Sequence, residues 1–307
     1  MKKRVAVIFG GHSTEYDVSL QSACSVLQNI NRNRFEIVPV GITRDGEWYH
    51  YTGKIENISN NVWFEDEENL NPVMVSQSRL AQGFAELHGN RFRRIPIDLV
   101  FPILHGKNGE DGTLQGLFEL AGIPVVGCNT LSSAICMDKD RAHKLVSLAG
   151  IAVPESVTFK RSEKEIAYRE IKKRLCCPLF VKPVRSGSSF GITRITEMQQ
   201  LDAAAESAFQ HDTEVIVEKA VNGFEVGCAI LGKDTLTVGR IDEIELSGSF
   251  FDYTEKYTLH SSKIYMPARV DCDTEKRIQE TAKIIYRVLG CSGYARVDLF
   301  YTSSGEI

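Results

Sequence analysis

Residues 4–20 read RVAVIFGGHSTEYDVSL, and this stretch decides the fold class of the N-terminal part of the chain. Val5–Phe9 is a short apolar run rich in valine and isoleucine, which is typical of a buried strand, and Gly10-Gly11 ends it. The serine and threonine that follow are good N-caps for a helix. A second strand is predicted over Glu36–Ile42, so the order is β-α-β. This order predicts an α/β domain built on a doubly wound parallel sheet.

The rest of the chain alternates short apolar runs with amphipathic stretches, except for residues 53–94, which are polar and irregular and give no firm prediction. Further strands are predicted over Asp98–Leu104, Ile123–Val126, Glu155–Phe159, Leu179–Lys182, Glu214–Lys219, Glu225–Leu231, Thr235–Leu246 and Gly293–Tyr301. Helices are predicted over Thr113–Leu120, Asp138–Ala149, Glu163–Leu175 and Thr274–Leu289. With 307 residues, the chain is long enough for two or three domains, and the first boundary is expected near Cys128–Leu131.

The charge balance and the apolar runs argue against several classes of protein. Lys and Arg number 36 and Asp and Glu 40, a net charge of −4, which gives no reason to expect binding to nucleic acid or to an anionic membrane. The N-terminal apolar run stops at Phe9, too early for a signal peptide, and no stretch is long enough to span a membrane. None of the eight cysteines has CxxC spacing, so we expect reduced thiols and a cytoplasmic protein.

Two loops in the N-terminal part carry candidate binding residues. Glu15 stands at the predicted start of the first helix, where a carboxylate either compensates the helix dipole or holds a substrate ammonium. The loop LHGKNGEDG, residues 104–112, holds three glycines and four titratable residues directly after a predicted strand. Loops at the carboxyl ends of parallel strands are where α/β folds bind ligands, but a structural role is equally compatible with this loop.

Two further motifs indicate nucleotide binding. In VKPVRSGSSFG, residues 181–191, Lys182 ends a predicted strand and a loop of glycines and serines follows it. A fixed cation next to backbone N–H groups suits phosphate oxygens, although the lysine precedes the loop, unlike in a Walker A motif. Glu218 and Lys219 end a later strand, where they can border an adenine pocket, and Glu225 can accept hydrogen bonds from ribose hydroxyls. Taken alone, this last motif is equally an ordinary strand end.

Seven segments together resemble the D-alanine–D-alanine ligase family of the ATP-grasp superfamily. They are FGGHSTEYDVSLQSA (9–23), LHGKNGEDGTLQG (104–116), MDKDRAHK (137–144), VKPVRSGSSFG (181–191), VEKAVNGFE (217–225), FFDYTEKY (250–257) and GYARVDLF (293–300). The resemblance runs from residue 4 to the last residue, and it is strongest to the D-alanine–D-serine ligases of vancomycin-resistance clusters. It implies an ATP-grasp fold with an N-terminal α/β substrate domain at 1–130, a central subdomain at 131–217, and a C-terminal domain at 218–307 with a lid at 247–262.

The resemblance implies a ligase of peptidoglycan precursor synthesis and glycopeptide resistance, acting as a homodimer. In such enzymes the γ-phosphoryl group of ATP passes to the carboxylate of D-alanine, and the amine of a second D-amino acid attacks the acylphosphate. D-serine is favoured as that second substrate, because Phe251 stands where many D-alanine–D-alanine ligases have tyrosine. A housekeeping D-alanine–D-alanine ligase is the alternative. Two more remote alternatives are another type of ATP-grasp ligase and a non-catalytic nucleotide-binding protein of the same fold.

The resemblance also assigns roles residue by residue. Roles in catalysis fall to Glu15, Ser188, Tyr257 and Arg296, and substrate contacts fall to Glu15, His105 and Phe251. ATP contacts fall to Lys139, Lys182 and Lys256 at the phosphates, to Glu218, Lys219 and Val221 at the adenine, and to Glu225 at the ribose. Asp298 would bind one of two Mg²⁺ ions, for which Mn²⁺ is an alternative. The other metal ligands, a Glu and an Asn, are expected beyond Ile307.

Overall fold

The computed structural model describes residues 2–187, 189–246 and 262–307, and contacts divide the chain into two units, Met1–Ala134 and Ile135–Ile307. The strands of the first unit are β1 (Lys3–Gly10), β2 (Phe35–Ile42), β3 (Trp48–Tyr51), β4 (Leu70–Val75), β5 (Gly83–His88), β6 (Arg91–Pro96) and β7 (Leu99–Pro102). Its helices are α1 (Tyr16–Asn29), α2 (Ile55–Ser59) and α3 (Thr113–Ala121), and α4 (Thr130–Met137) crosses the boundary. The three-domain division at residues 130 and 217 stays a prediction.

The sheet of the first unit is mixed, with the strand order β6-β5-β4-β3-β2-β1-β7. Strand β1 pairs in parallel with β2 and with β7, as the β-α-β pattern predicts. The strands from β3 to β6 all pair antiparallel, so the expected parallel sheet is limited to three strands. The connections between β2 and β3 and between β5 and β6 are only a few residues long, and a parallel crossover needs a dozen or more.

Residues 53–94, which have no firm prediction, contain α2, the strands β4 and β5, and the start of β6. Strands β5 and β6 form a hairpin around Gly89-Asn90, and Gly89 has a positive φ of 56°. A glycine followed by asparagine between two runs is a hairpin signal that the polar composition concealed. Strand β6 lies at the sheet edge, where all of its first four residues, Arg91–Arg94, are exposed, and three of them are arginines.

Strand β1 is the centre of the first unit because both of its faces are buried. Side chains along a strand alternate between faces, so Ala6 and Ile8 pack on the side of α3, next to Phe118. Val7 and Phe9 pack on the opposite side, against α1. The doubly wound arrangement that the sequence predicts is therefore present, with one helix on each face of the parallel strands.

We expect Gly41→Ala to destabilise the first unit by about 1–3 kcal/mol, because a core at native density does not accept extra atoms. A Cβ at Gly41 would lie 2.4 Å from two ring carbons of Trp63 and 2.9 Å from Cζ of Phe9. Trp63 is fully buried and packs edge-on against Phe9, so its ring has little room to move. Both tryptophans of the chain, Trp48 and Trp63, lie in this unit, so fluorescence during urea unfolding measures the effect.

Gly116→Ala is the matched control for this measurement. A Cβ at Gly116, in helix α3, meets only Thr130 side-chain atoms, at 3.5 Å and 3.8 Å, which is ordinary contact. Alanine is favoured over glycine inside a helix by roughly 0.5–1 kcal/mol, so this variant should be unchanged or slightly more stable. Equal stability of the Gly41→Ala variant and the wild type would contradict the packing argument.

The second unit contains two antiparallel sheets. Its strands are β8 (Ser156–Lys160), β9 (Leu179–Pro183), β10 (Thr193–Ile195), β11 (Glu214–Lys219), β12 (Gly223–Gly232), β13 (Leu236–Leu246), β14 (Ser262–Tyr265) and β15 (Gly293–Thr302). Its helices are α5 (Lys139–Leu148), α6 (Lys164–Arg174), α7 (Leu201–Ala208) and α8 (Cys272–Val288). The strand orders are β10-β9-β11-β8 and β14-β13-β12-β15.

Each sheet of the second unit buries one face against helices. Helices α6 and α7 cover the first sheet, where Ile171 and Ala205 pack among strand residues such as Val181 and Val217. Helix α8 covers the second sheet, with Ile278 and Ala282 on its buried side. Since the helices occupy one face, the opposite face of each sheet carries the polar side chains of the strands.

None of the eight cysteines, all of which the structure describes, is in a disulfide, and Cys228 is part of the core of the second sheet. Burial raises the pKa of the Cys228 thiol to about 11, so this cysteine is an inert core residue. No helix within residues 2–187, 189–246 or 262–307 is long and apolar enough to cross a membrane.

Candidate active site

Glu15 lies directly before α1, where the helix dipole favours a negative charge, and it is only 6% exposed. Its backbone N–H donates to Oγ of Ser13 at 2.9 Å. The Ser13 hydroxyl in turn donates to the carbonyl of His105 at 2.8 Å. Ser13 therefore joins the loop after β1 to the loop after β7. The two motifs that the sequence separates by about 90 residues meet at the carboxyl ends of parallel strands, as expected for an α/β fold.

Gly106 allows the Glu15 carboxylate to lie against the second loop. It has a positive φ of 71°, which favours glycine, and a Cβ there would lie 2.2 Å from Oε2 of Glu15. The Gly106 N–H donates to Oε2 of Glu110 at 2.6 Å, a bond that closes the loop LHGKNGEDG on itself. The glycine is thus required both by the backbone conformation and by the approach of Glu15.

His105 contacts Ser22, a residue that the sequence analysis did not single out. The Ser22 Oγ and the His105 Nε2 are 3.2 Å apart, so the hydroxyl either donates to or accepts from the ring according to the tautomer. Ser22 lies on α1 seven residues after Glu15, which is two helical turns and the same face. That spacing was a signal in the sequence, and it predicts that both side chains point towards one region.

Lys182 and Glu218 form an ion pair on neighbouring strands of the second unit. Lys182 in β9 pairs in register with Ile216 of β11, so Glu218 is its diagonal neighbour. The Lys182 Nζ lies 2.5 Å from Oε2 of Glu218, and the side chain of Glu218 is 3% exposed. A buried carboxylate thus holds the lysine at a fixed position, and its contact with phosphate stays a prediction.

The other oxygen of Glu218 is a buried hydrogen-bond acceptor that no described group satisfies. The nearest group is Nδ1 of His143 in α5, at 3.5 Å, and this atom too has no hydrogen-bond partner among the described residues. Burial lowers the pKa of His143, the charge of Glu218 opposes this, and Lys182 and Lys139 lower the pKa further. A buried acceptor without a donor fits a ligand that supplies an N–H group, such as the exocyclic amine of adenine.

Lys139 lies against the start of the glycine- and serine-rich loop. Asp138 caps α5 by accepting the N–H of Arg141 at 2.9 Å, which places Lys139 in the first turn of the helix. The Lys139 Nζ donates to the carbonyl of Ser186 at 2.7 Å and lies 3.3 Å from the carbonyls of Pro183 and Val184. Two of the three predicted phosphate-binding lysines are therefore located, at the start of α5 and near the end of β9.

The predicted adenine and ribose residues follow one another along the chain. Lys219 is the last residue of β11, Val221 lies in the turn before β12, and Glu225 is the third residue of β12. The N–H of Lys219 donates to the carbonyl of Glu155 at 2.9 Å, which fixes the strand end. All three residues thus lie at or near the connection from β11 to β12, which joins the two sheets of the second unit.

Arg296 and Asp298 lie two residues apart on β15 and so project from the same face. The Arg296 Nε is 3.3 Å from Oδ1 of Asp298, and its Nη2 is 3.1 Å from Oδ2 of Asp242 on β13. Asp242 was not predicted, because it comes 54 residues earlier in the chain. A Cβ at Gly227 would lie 2.4 Å from the guanidinium, so glycine leaves the space that Arg296 occupies.

Several predicted site residues have no structural test. Ser188, Phe251, Lys256 and Tyr257, with most of the predicted lid at 247–262, lie outside the described residues. Among the residues that the structure does describe, no cluster of three or more His, Cys, Asp or Glu side chains is arranged to hold a metal ion. Asp298 could therefore supply one carboxylate ligand to a metal ion. Asp242 contacts Arg296 from the other side.

Comparison with known proteins identifies relatives along the whole chain. The family model described as "D-ala D-ala ligase N-terminus" matches residues 4–128, and "D-ala D-ala ligase C-terminus" matches residues 145–307. The vancomycin C-type resistance protein VanC1 of Enterococcus gallinarum is 43% identical over 307 residues, covering 99% of this chain and 87% of that protein. The D-alanine–D-alanine ligase of Caldicellulosiruptor bescii is 43% identical over 303 residues, covering 97% of this chain and 82% of that protein.

Solved structures of D-alanine ligases also match almost the whole chain. The crystal structure of the VanG D-Ala:D-Ser ligase from Enterococcus faecalis has 71% sequence identity and a TM-score of 0.94, covering 100% of this chain and 88% of that one. The structure of the D-alanine–D-alanine ligase from Coxiella burnetii has 30% identity and a TM-score of 0.86, covering 99% of this chain and 82% of that one.

Proposed function

The chain belongs to the D-alanine–D-alanine ligase family and has its ATP-grasp fold, and from this premise we propose that it joins D-alanine to D-serine with cleavage of ATP. The γ-phosphoryl group passes to the carboxylate of D-alanine, which gives an acylphosphate and ADP. The amine of D-serine then attacks the acyl carbon, phosphate leaves, and the amine loses a proton. The product is a dipeptide with a new amide bond. Phosphoryl transfer of this kind depends on positioning and on charge neutralisation.

The Lys182–Glu218 pair is the observation that carries the ATP-binding part of the proposal. One carboxylate oxygen of Glu218 pairs with Lys182. The other oxygen is a buried acceptor, to which the exocyclic amine of adenine would donate an N–H. Lys139 contacts the carbonyls at the start of the glycine- and serine-rich loop, so phosphate oxygens would meet its Nζ at that loop. Lys219 and Val221 would border the adenine, and Glu225 would accept hydrogen bonds from the ribose.

Asp298 and Arg296 suit the transferring phosphoryl group. Members of this family are ATP-dependent and generally need Mg²⁺, which neutralises charge on phosphate oxygens when it is bound. Magnesium takes most of its ligands from phosphates and water, so one carboxylate such as that of Asp298 is a fitting protein ligand. Asp242 and Asp298 hold the guanidinium of Arg296 from two sides. Its planar donors would then face the phosphoryl oxygens, and later the oxyanion formed during amine attack.

The first D-alanine would bind at Glu15. Glu15 is almost fully buried, and pairing with a cation offsets the cost of burying a carboxylate; the substrate ammonium is such a cation. His105 lies at the same place through Ser13, and Ser22 orients its ring. Ser188 and Tyr257 would extend this contact to the lid, with Lys256 at the γ-phosphate, so that water is excluded from the acylphosphate.

We expect D-serine to outcompete D-alanine for the second site when both are present at equal concentration. Phe251 stands where many D-alanine–D-alanine ligases have tyrosine, and we infer from the resemblance that the missing hydroxyl favours a serine side chain. The VanG D-Ala:D-Ser ligase has 71% identity with this chain, which favours the same substrate. The preference should be modest, about 1–3 kcal/mol, because a pocket rejects an analogue that differs by one hydroxyl only weakly. Mass spectrometry of the dipeptides measures the ratio.

Phe251→Tyr is the matched variant, and it should shift the product ratio towards D-alanyl-D-alanine. D-lactate serves as the negative control, because the proposed enzyme makes an amide and no ester. A wild-type product that is mainly D-alanyl-D-alanine would reject the D-serine preference and leave the housekeeping ligase as the function. Absence of phosphate release that depends on D-alanine would reject the ligase activity itself.

A further inference from the structure

Two cysteines of the second unit have neighbouring sulfur atoms. The Sγ atoms of Cys136 and Cys291 are 3.8 Å apart, neither cysteine is in a disulfide, and Cys136 is exposed. We propose that a peroxide oxidises this pair to a reversible disulfide, and that the disulfide switches off the enzyme. The loss of activity rests on the proposed ligase function, whereas disulfide formation does not.

Each cysteine lies at the end of a helix, next to a segment that carries predicted site residues. Cys136 is the penultimate residue of α4, and the Asp138 cap and Lys139 follow at once. Cys291 lies between α8 and β15, and its N–H donates to the carbonyl of Tyr286 at 2.9 Å. Cys291 therefore stands at the end of one helix and at the entrance to the strand that carries Arg296 and Asp298. A bond between the two sulfurs would join the start of the Lys139 helix to the start of that strand.

The chemistry requires only a peroxide and the two thiols. The thiolate of one cysteine attacks the O–O bond, which gives a sulfenic acid and releases water from hydrogen peroxide. The second thiol then attacks the sulfenic sulfur, the S–S bond forms, and a second water leaves. The pair loses two electrons and two protons, and the peroxide accepts both electrons. A dithiol reductant reverses the reaction by thiol–disulfide exchange and becomes a disulfide itself.

Closure of the bond moves groups that the proposed reaction uses. A disulfide has an S–S length of about 2.05 Å, so the sulfurs must approach by roughly 1.8 Å from their present separation. Lys139 is three residues from Cys136, and Arg296 is five residues from Cys291. Displacement of a positioning group by about 1 Å can lower turnover on the order of 10²-fold. We therefore expect the oxidised enzyme to lose roughly 10- to 100-fold in kcat/KM for ATP.

The test treats the reduced enzyme with hydrogen peroxide, blocks the remaining thiols by alkylation, and maps the peptides by mass spectrometry. The expected result is a peptide pair that joins Cys136 to Cys291, together with a loss of ATP turnover that a dithiol reductant restores. Cys136→Ser and Cys291→Ser should each keep the activity of the reduced wild type and resist the oxidant. Cys272→Ser, which removes an exposed cysteine with no part in the pair, should stay sensitive.

Three results would overturn the proposal. The first is an oxidised protein without the Cys136–Cys291 peptide pair. The second is a complete disulfide with unchanged turnover. The third is that peroxide lowers the activity of Cys136→Ser and Cys291→Ser as much as that of the wild type. Oxidation of other residues would then cause the loss. If the reduced protein has no ligase activity but peroxide still links Cys136 to Cys291, the proposed ligase function is rejected. The proposed disulfide is then supported on its own.

Discussion

Lys182→Ala should lower kcat/KM for ATP on the order of 10²–10³-fold, the usual loss when one preorganised charge-stabilising group is removed. Lys182 is held 2.5 Å from a carboxylate that is almost fully buried, so its ammonium is already in place before ATP binds. A water molecule in the space left by the side chain would not replace that fixed charge at the phosphates. Initial rates of phosphate release at saturating D-alanine, over a range of ATP concentrations, measure the loss.

The difficulty in this experiment is that removal of the lysine also leaves Glu218 buried without its cation, which destabilises a protein by itself. The double variant Lys182→Ala with Glu218→Gln separates the two effects, because the amide needs no cation. We expect the double variant to regain stability and to remain as inactive as the single one. Recovery of activity in the double variant would show that Lys182 acts only by neutralising Glu218.

Lys160→Ala is the matched control for a lost lysine in the same sheet. Lys160 ends the edge strand β8, is mostly exposed, and lies 4.0 Å from Glu214. Exposed ion pairs contribute little to stability, so this variant should retain its activity. Near-normal turnover in Lys182→Ala itself would reject the proposed contact with ATP.

Gly106→Ala should lower kcat/KM for the first D-alanine by about 10²-fold. The new methyl group would stand 2.2 Å from Oε2 of Glu15, so the carboxylate has to move by roughly 1 Å to reach ordinary contact. Glu15 is the flexible partner, whereas the loop is closed by the bond from the Gly106 N–H to Glu110. The substrate ammonium would lose its partner, and KM for D-alanine should rise more than kcat falls.

Gly46→Ala separates this effect from backbone strain. Gly46 also has a positive φ, 91°, but a Cβ there would have no atom within 4 Å. Both variants place alanine in the left-handed region, so each should be destabilised by about 1–2 kcal/mol. Only Gly106→Ala should change the KM for D-alanine. The same KM in the two variants would mean that Glu15 does not bind the first substrate.

The sequence alone determined those parts of the fold that depend on short-range pattern. The apolar run in β1, helix α1 and the apolar β2 lie within about 40 residues, and their β-α-β order predicts the parallel pairing of the two strands that is observed. The expected serine or threonine cap of α1 was wrong, because the helix begins at Tyr16 after Glu15, with no hydrogen bond from a capping side chain. The helices α5, α6 and α8 were likewise predicted within a few residues, because caps and periodicity are local properties. The three-domain division, the substrates and the residue roles remain proposals.

The sequence alone was a poor guide to the antiparallel strands β4 to β6. Their exposed face carries apolar side chains such as Met74, Leu87 and Phe92, and the buried face carries Glu86, so the alternation that marks a strand is weak there. The Gly89-Asn90 turn was a stronger local signal. Pairing with β3 stabilises these strands by extending a sheet that already exists. This is a tertiary effect, because it depends on a sheet that other parts of the chain have formed.

The contacts within the candidate site were decided by the tertiary structure alone. Ser13 meets His105 across 92 residues, Ser22 meets the same histidine across 83, and Arg296 meets Asp242 across 54. A motif predicts which groups can bind a phosphate or an ammonium, because that depends on chemistry. Which groups lie within hydrogen-bond distance depends on how strands align in a sheet, and burial of the core determines that alignment across distant parts of the chain.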